Sequence, residues 1–272
     1  MKKIALTSLL AVVAASAAHA GVNVLDGNPL YMPQKGHFYS ETSLSSGTNT
    51  TTAVELGEEF WFALTDRLAF SVATSISEND WFEGSSWNGM AFDAKYRLIG
   101  NGAWKMDFVG GFSLNPMWAD HRPTMSASDT TYTWIGGIRG GYVNGDWTIA
   151  AHANFIYRNN EMFNWANGDN GDVLWPNGEP WMNHILNLGV AGHWTMSDSW
   201  SALVTADYYK SFDHYSDVES YGRWDVTAGL NYNIDTTKYV GVYVSKEVQH
   251  EGAGSWVVED GFGFGAKFGI DF

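Results

Sequence analysis

The chain contains no cysteine among its 272 residues, which excludes a disulfide scaffold and any metal site built on thiolates. Basic residues are also scarce, since 15 lysines and arginines stand against 30 aspartates and glutamates. The net charge of −15 repels phosphate groups, and no basic stripe interrupts the acidic excess, so a nucleic-acid-binding function is disfavoured. Disorder is disfavoured too, because 45% of the residues are apolar and 15% are aromatic.

Residues 1–20 have the features of a secretory signal peptide. Two lysines precede an apolar run over Ile4–Ala18, and Ala18-His19-Ala20 fits the small-x-small pattern of a cleavage site. The run is shorter than the ~20 apolar residues of a spanning helix, which disfavours a retained membrane anchor. We expect an exported protein with a signal peptide over 1–20, an N-terminal periplasmic segment over 21–36 and a folded domain over 37–272.

Long apolar runs are missing from the rest of the chain. The longest stretches, such as Phe60–Leu64, have five residues, and the mean hydropathy is −0.21. Aromatic residues are nevertheless abundant, with 14 tryptophans, 13 tyrosines and 15 phenylalanines. An exported chain of this composition either stays soluble or enters a membrane as β-strands, and composition alone does not decide between the two.

The spacing of the apolar residues favours the second alternative. They recur with a period of two, which predicts strands and not helices. The pattern is clearest near the C-terminus, where Phe262, Phe264 and Phe268 alternate with glycine and lysine. It predicts twelve strands, at 37–45, 53–64, 68–76, 90–98, 104–114, 132–142, 147–157, 184–194, 200–208, 224–232, 239–245 and 262–272. An even number of strands is typical of a transmembrane barrel that closes with both termini on one side.

The connections between these segments alternate in length. Short ones carry turn residues, as in Thr65-Asp66-Arg67 and Asn144-Gly145-Asp146. Tryptophan and tyrosine residues flank the connections, as they do in the interfacial girdles of membrane proteins. Short periplasmic turns and long external loops are typical of outer-membrane barrels, so we predict an all-β, up-and-down antiparallel barrel of about twelve strands. The long loops are expected at 77–88, 115–130, 159–182, 211–221 and 247–255.

The sequence resembles bacterial outer-membrane β-barrels over residues 21–272. Its ending, Phe264–Phe272, is similar to the terminal strand of that class, which implies that Phe268, Ile270 and Phe272 form a signal for the barrel assembly machinery. Residues Phe60–Val72, which contain Ala63-Leu64-Thr65-Asp66-Arg67-Leu68, are similar to a hairpin of porin-like proteins described as transporters for aromatic-compound pathways. One hairpin assigns no substrate.

One predicted strand fits a lipid-exposed wall poorly. In the segment 53–64, Glu55, Glu58 and Glu59 occupy both parities, so one carboxylate would face lipid at a cost of up to a few kcal/mol. A bulge near Gly57 would turn that carboxylate away from lipid.

The parity of the strands also predicts which charged side chains line the lumen. One interpretation is a network of ion pairs that braces a narrow barrel, and another is a pore whose charged wall selects the solute. Inward glycines and alanines are expected to leave space for water. The predicted inward residues are Asp93, Lys95, Arg97, Lys105, Asp107, Arg139, His152, Arg158, Asp207, Arg223, Asp225, Glu259 and Lys267.

The predicted external loops are acidic and partly aromatic. They carry fourteen carboxylates and one arginine, Arg122. The acid is either a solvated surface, a set of ligands for divalent cations shared with lipopolysaccharide, or a funnel for cationic solutes. The longest loop contains four aromatic residues, Phe163, Trp165, Trp175 and Trp181. Three interpretations are open: the rings pack against one another, they constrict the lumen, or they bind a ligand by stacking.

Other sites are weakly supported. Residues 167–172 have oxygen ligands and glycines but lack the bidentate glutamate of an EF-hand loop. His214 and Ser216 have the spacing of a nucleophile and base, although no oxyanion donor accompanies them. We therefore expect no enzyme activity, cofactor or metal.

The sequence thus predicts a passive porin-like channel for small solutes in the bacterial outer membrane. The expected partners are outer-membrane lipids, lipopolysaccharide, the barrel assembly machinery and small-molecule solutes. A non-conducting structural or adhesion barrel with ligand-binding loops is the first alternative, and an outer-membrane lipid hydrolase is the second.

Overall fold

The structure is a computed structural model that describes residues 28–47, 52–79, 84–116, 130–159, 184–212, 222–235, 237–251 and 262–272. Within these residues no helix is long and apolar enough to cross a membrane. The described residues form twelve strands: β1 Phe38–Gly47, β2 Thr52–Thr65, β3 Leu68–Asn79, β4 Gly84–Ile99, β5 Trp104–Pro116, β6 Thr130–Asn144, β7 Trp147–Asn159, β8 His184–Thr195, β9 Trp200–Ser211, β10 Gly222–Asn233, β11 Lys238–Glu251 and β12 Phe262–Asp271.

The twelve strands form a closed antiparallel barrel in which each strand pairs with its neighbours in sequence. β1 closes the sheet against β12 in an unbroken register from Tyr39 opposite Asp271 to Gly47 opposite Gly263. The backbones of Phe38 and Phe272 extend this closure with reciprocal N–H···O bonds of 2.8 and 2.9 Å. No open edge is left between the first and last strands, and the predicted up-and-down barrel is confirmed.

The two faces of the sheet differ in polarity because successive side chains of a strand point to opposite sides. On the outer face, large apolar side chains such as Trp104, Ile149 and Val242 are 58–64% exposed. On the inner face, Asp107 and Arg139 are 0% and 2% exposed. An apolar outer wall around a polar interior is the arrangement that a lipid bilayer requires of a barrel.

Aromatic pairs mark the end of the barrel that carries the short turns. Trp104 opens β5 and contacts Tyr142 at the end of β6, with ring centroids 5.1 Å apart. Trp147 and Trp194 stack at 5.2 Å, and Trp200 contacts Tyr232 at 5.0 Å. In each pair one ring follows a short turn and the other precedes one, so the predicted girdle consists of cross-strand aromatic pairs.

The strands extend further than the sequence predicts at the end that carries the long loops. β11 continues to Glu251, and Glu247, which the sequence places in an external loop, lies in this strand and faces the lumen. In β4, a register shift beside Gly89, which has φ +104°, turns Trp87 outward and Asn88 inward. Alternation alone does not reveal such a shift, since the bulge interrupts the period.

The hypothesis of a bulge at Gly57 is wrong. The pairing of β1 with β2 runs without a shift from Phe38 opposite Phe62 to Ser45 opposite Glu55. Glu55 and Glu59 therefore face the lumen, and Glu58 faces outward between Leu56 and Phe60, which are 44% and 45% exposed.

Candidate functional site: the lumen of the barrel

Three charged residues on adjacent strands form a buried ion-pair cluster in the lumen. Asp107 on β5 receives hydrogen bonds from Arg97 Nε on β4 at 2.6 Å and from Arg139 Nε and Nη2 on β6 at 2.8 and 2.6 Å. The register explains the contact, because Asp107 lies opposite Arg97 on one side and Arg139 on the other. One carboxylate thus binds two guanidinium groups, as the ion-pair interpretation predicts.

The same two arginines hold the segment over residues 28–36. Arg97 Nη2 donates to the carbonyl of Leu30 at 2.6 Å, and Arg139 Nη2 donates to the carbonyl of Tyr31 at 3.1 Å. Leu30 is 3% exposed, so this segment lies inside the barrel at the end that carries the short turns, which is the periplasmic end in outer-membrane barrels generally. Sequence reasoning missed this position because the segment has no strand pattern, and its contacts are to residues distant in the chain.

The segment also crosses the periplasmic opening. Asn28 Nδ2 donates to Thr148 Oγ1 on β7 at 3.1 Å, and Tyr31 Oη donates to Asp271 Oδ2 on β12 at 2.9 Å. Strands β7 and β12 lie on nearly opposite sides of the ring. Tyr31 and Met32 pack between these ends against a buried apolar cluster that includes Trp61. The segment therefore narrows the lumen from one wall to the other.

A second polar cluster lies on β1, β11 and β12. Tyr39 Oη donates to Glu41 Oε2 at 2.7 Å, and Tyr239 Oη donates to the same oxygen. Lys267 Nζ lies 3.8 Å from Glu41 Oε2 and 5.7 Å from the centre of the Tyr239 ring. Glu41 therefore joins three inward side chains, and the charge of Lys267 is balanced within the lumen.

Lys95 and Trp61 form a separate contact on the wall formed by β2–β4. Lys95 Nζ lies 3.6 Å from the centre of the Trp61 ring, which is a cation–π contact between side chains that are 2% and 0% exposed. The contact spans β3, on which small residues face inward: Ala69 lies opposite Lys95, and Ser71 lies opposite Trp61.

Two further groups of contacts lie on β7–β11. His152 Nε2 lies 2.9 Å from Asn187 Oδ1 and 3.0 Å from Asp207 Oδ1. Arg223 Nη2 donates to Asp225 Oδ2 at 2.6 Å, and its Nη1 lies 3.8 Å from Glu247 Oε1. Arg223 thus pairs with one carboxylate on its own strand and approaches another on β11, and His152 lies between polar groups of β8 and β9.

The prediction that the inward glycines leave space for water is wrong for several of them. A Cβ added at Gly269 would collide with the ring of Tyr239 and the hydroxyl of Tyr39, and one at Gly189 would collide with His152 and Asp207. These glycines accommodate neighbouring side chains that lie flat against the wall. The lumen is therefore more filled than its glycine content indicates.

Charge is unevenly distributed around the described part of the lumen. The wall formed by β4–β7 is mainly basic, and the wall formed by β8–β12 and β1–β3 is mainly acidic. The basic side carries Lys95, Arg97, Lys105, Arg139 and Arg158, with the acids Asp93 and Asp107, and the acidic side carries Glu41, Glu55, Glu59, Asp207, Asp225, Glu247 and Asp271, with Arg223 and Lys267. An electric field therefore runs across the lumen.

Twelve of the predicted inward residues lie in described strands on the inner face, and the contacts above join most of them. Lys105 instead donates to the turn carbonyl of Gly100 at 2.5 Å. Several predicted residues lie outside the part of the chain that the structure describes: Glu259, the loop residues Phe163, Trp165, Trp175 and Trp181, residues 167–172, His214 and Ser216.

Sequence reasoning missed Tyr39, Glu41, Glu59, Trp61 and Tyr239, although strand parity could have identified all five. Among the residues that the structure describes, no group of histidines and carboxylates could hold a metal ion.

No protein-family model and no curated protein matches this sequence. Solved structures of the same architecture do match. The COG4313 outer membrane channel from Pseudomonas putida F1 is 13% identical with a TM-score of 0.57, over 92% of this chain and 100% of that chain. The KdgM porin in complex with disordered oligogalacturonate is 12% identical with a TM-score of 0.54, over 86% and 99%. The β domain of the Bordetella autotransporter BrkA is 12% identical with a TM-score of 0.51, over 88% and 100%.

These likenesses show the fold, which is that of the twelve-stranded bacterial outer-membrane β-barrels. The same architecture serves channels in two of the matches and the β domain of an autotransporter in the third. Function therefore has to be argued from the lumen of this chain.

Proposed function

We propose that this protein is a passive porin-like channel in the bacterial outer membrane, and that small polar solutes cross it through the charged lumen. The observation that carries the proposal is the contrast between the two faces of the wall. The outer face is apolar, whereas most of the described strands carry a charged side chain on the inner face, and both signs are present there. Charges of both signs are tolerable in a wet lumen and give polar solutes successive contacts on their way through.

The residues that we assign to solute passage are the charged groups described above. Arg97, Asp107 and Arg139 would form the narrow periplasmic part together with residues 28–36. Arg223, Asp225 and Glu247 would contact solutes nearer the external loops. The field between the basic and acidic walls would orient a solute that carries both charges. We assign no catalytic residue, metal or cofactor to this pathway.

Export and insertion belong to the same proposal. Residues 1–20 would be removed as a signal peptide, and residues 37–272 would form the barrel. Phe268 and Ile270 lie on β12 and Phe272 directly follows it. Phe268 and Phe272 are exposed on the outer face, a position that suits recognition by the barrel assembly machinery. Outer-membrane lipids and lipopolysaccharide would surround the apolar wall.

The proposal is tested with the refolded chain that lacks residues 1–20. We expect stepwise conductance in planar bilayers and swelling of liposomes in small sugars or amino acids. Heat-modifiable migration on a gel shows in the same preparation that the barrel is folded. A folded barrel that gives neither conductance nor swelling would contradict the channel and favour a structural or adhesion barrel.

A further inference from the structure

Four polar side chains form a row across the inner face of β6–β9. Each lies close to the middle of the strand that carries it, so the row is inside the membrane-spanning part of the lumen. We call these residues the mid-lumen row; in order around the wall they are Arg139 on β6, Asn154 on β7, Asn187 on β8 and Asp207 on β9. The row begins with a cation, ends with a carboxylate and has two amides between them.

The hydrogen bonds around His152 fix which way the two amides point. His152 Nε2 lies 3.0 Å from Asp207 Oδ1, which is an acceptor, so this nitrogen carries a proton. The same nitrogen lies 2.9 Å from the amide of Asn187, which therefore presents its oxygen. Asn154 Nδ2 donates to that oxygen at 3.0 Å. This arrangement leaves the oxygen of Asn154 and the nitrogen of Asn187 available to other partners.

Within the described part of the chain, neither of these two amide atoms has a hydrogen-bond partner, although Asn154 and Asn187 are 1% and 0% exposed. The same is true of Arg139 Nη1, on a side chain that is 2% exposed. Polar atoms buried to this extent normally have a partner. An acceptor and two donors on three adjacent strands are therefore open to a bound molecule.

The two ends of the row differ in net charge. Asp107 is shared by Arg97 and Arg139, so this group of three has one positive charge in excess. At the other end, Asp207 lies directly opposite Asp225 on β10, and the side chain of Asp207 is 18% exposed. A molecule with one anionic and one cationic end is therefore attracted in a single orientation.

The order of the groups along the row matches the order of the groups along a peptide. From its C-terminus, a dipeptide presents a carboxylate, an amide N–H, an amide carbonyl and an ammonium group. Arg139 Nη1 can donate to the carboxylate, and Asn154 Oδ1 can accept from the N–H. Asn187 Nδ2 can donate to the carbonyl, and Asp207 can accept from the ammonium group.

The length of the row also suits a peptide. Strands β6 and β9 are three strand spacings apart, about 14 Å along the wall. The ends of the row are closer together than the strands, because inward side chains converge on the barrel axis. An extended peptide of two or three residues spans about 7–11 Å. We propose that the mid-lumen row binds short zwitterionic peptides, with the C-terminus toward β6 and the N-terminus toward β9; this rests on the proposed channel, through which the peptide reaches the row.

The site is tested with the refolded chain that lacks residues 1–20. Calorimetry measures the binding of glycylglycine and triglycine, and liposome swelling in a small sugar measures passage independently. We expect N-acetylation of either peptide to weaken binding about tenfold, because it removes the ammonium group. Linear amino acids of equal chain length, with methylene groups in place of the amide, should also bind about tenfold more weakly.

Several outcomes would overturn the site: no binding of either peptide, no effect of acetylation, or equal binding of the linear amino acids. Swelling in the sugar together with any of these results would leave the channel standing and remove only the peptide site. Peptide binding by a barrel that gives no swelling would support the site and contradict the channel.

A variant of Asp207 tests the orientation of the peptide. Asp207→Asn keeps an oxygen for His152 and removes the charge, so the barrel should fold and migrate as the parent does. We expect this variant to bind the peptide and its acetylated form equally. Asp198→Asn is the control, because it removes the same charge from the exposed turn before β9 and should keep the tenfold difference. A difference that persists in Asp207→Asn would overturn the assignment of the ammonium group to Asp207.

Discussion

Asp107 has no exposed surface and lies between two arginines, so its charge decides whether two guanidinium groups are paired. Removing one member of a buried ion pair is costly because the remaining charge has neither water nor a partner. Arg97 and Arg139 keep their bonds to the carbonyls of Leu30 and Tyr31, but a carbonyl balances no net charge. The pairing of both arginines therefore depends on one carboxylate.

We expect Asp107→Ala to lower the free energy of unfolding by about 3 kcal/mol, because it leaves two buried cations together. Urea unfolding in lipid vesicles, followed by tryptophan fluorescence, measures the change. Asp235→Ala is the control: Asp235 lies in the exposed turn after β10 and binds Thr237 and Lys238 locally, so its loss should change stability far less than the loss of Asp107. Equal effects of the two variants would contradict the special position of Asp107.

A pair of glycines tests whether the wall is filled from inside. We expect Gly269→Ala to destabilise the barrel by about 1–3 kcal/mol, because its Cβ meets the ring of Tyr239 and the hydroxyl of Tyr39. Gly192→Ala, on the outer face of β8, meets nothing within 4 Å and should be neutral or slightly stabilising. Thermal unfolding of both variants provides the comparison. A neutral Gly269→Ala would mean that the lumen has room that the contacts do not indicate.

At the scale of elements, the segment over 28–36 differs from the strands because side chains of the lumen, and not a sheet, hold it. Its hydrogen bonds to the wall include those from Asn28 to Thr148, from two arginines to the carbonyls of Leu30 and Tyr31, and from Tyr31 to Asp271. Because these bonds are few, they can open while the barrel stays closed, since no β-ladder has to break. The segment is thus the element on which the width of the periplasmic opening depends.

We expect deletion of residues 21–35 from the chain without its signal peptide to raise single-channel conductance, because the periplasmic opening loses the chain that crosses it. The first strand and its closure with β12 begin after this deletion. Lys35→Ala is the control, since Lys35 is exposed and its change leaves the crossing in place. Unchanged conductance in the deletion variant would show that the limiting constriction lies elsewhere.

The hydroxyl of Tyr31 makes the docking of this segment sensitive to alkali. Burial, followed by the hydrogen bond to Asp271 and its charge, raises the pKa of Tyr31 above the ordinary value of 10.0. The buried hydroxyl therefore contributes its full stabilisation below about pH 10, the pKa of an exposed tyrosine. This contribution is lost as the pH rises through the pKa of Tyr31 in the folded state. We expect conductance to be constant from pH 7 to about pH 9.5 and to increase only under stronger alkali. Tyr31→Phe should lose this alkaline increase. If the parent showed a conductance step near neutral pH that Tyr31→Phe lacked, the assignment of the alkaline change to the Tyr31 hydroxyl would be contradicted.

At the scale of the whole molecule, the acidic excess is the feature that solutes meet. The net charge is −15, and the described lumen wall carries more carboxylates than cations. We expect a preference for cations, measured as the zero-current potential across a salt gradient, and a weaker preference at high salt because ions screen the wall. A preference for anions at low salt would mean that the arginines of β4–β6 control permeation.

The sequence predicted the strands and the side of each residue well, because both depend on the period of two. Arg139 and Asp207 could be assigned to the lumen without coordinates. Their partners could not, since the pairing of Asp107 with Arg97 and Arg139 depends on the register between strands. The contact of Lys95 with Trp61 was beyond reach for a further reason: the two side chains meet across β3, which no pattern along one strand encodes.

Composition and alternation by themselves determined that the chain forms a barrel with an apolar outside and a charged inside, because each strand reports its own two faces. Only the tertiary structure decided how that inside is used. It placed residues 28–36 across the periplasmic opening, the glycines beneath flat side chains, and Glu58 on the outer wall in hydrogen-bonding contact with β1. Each of these outcomes depends on contacts between residues far apart in the chain, which form only when the sheet closes.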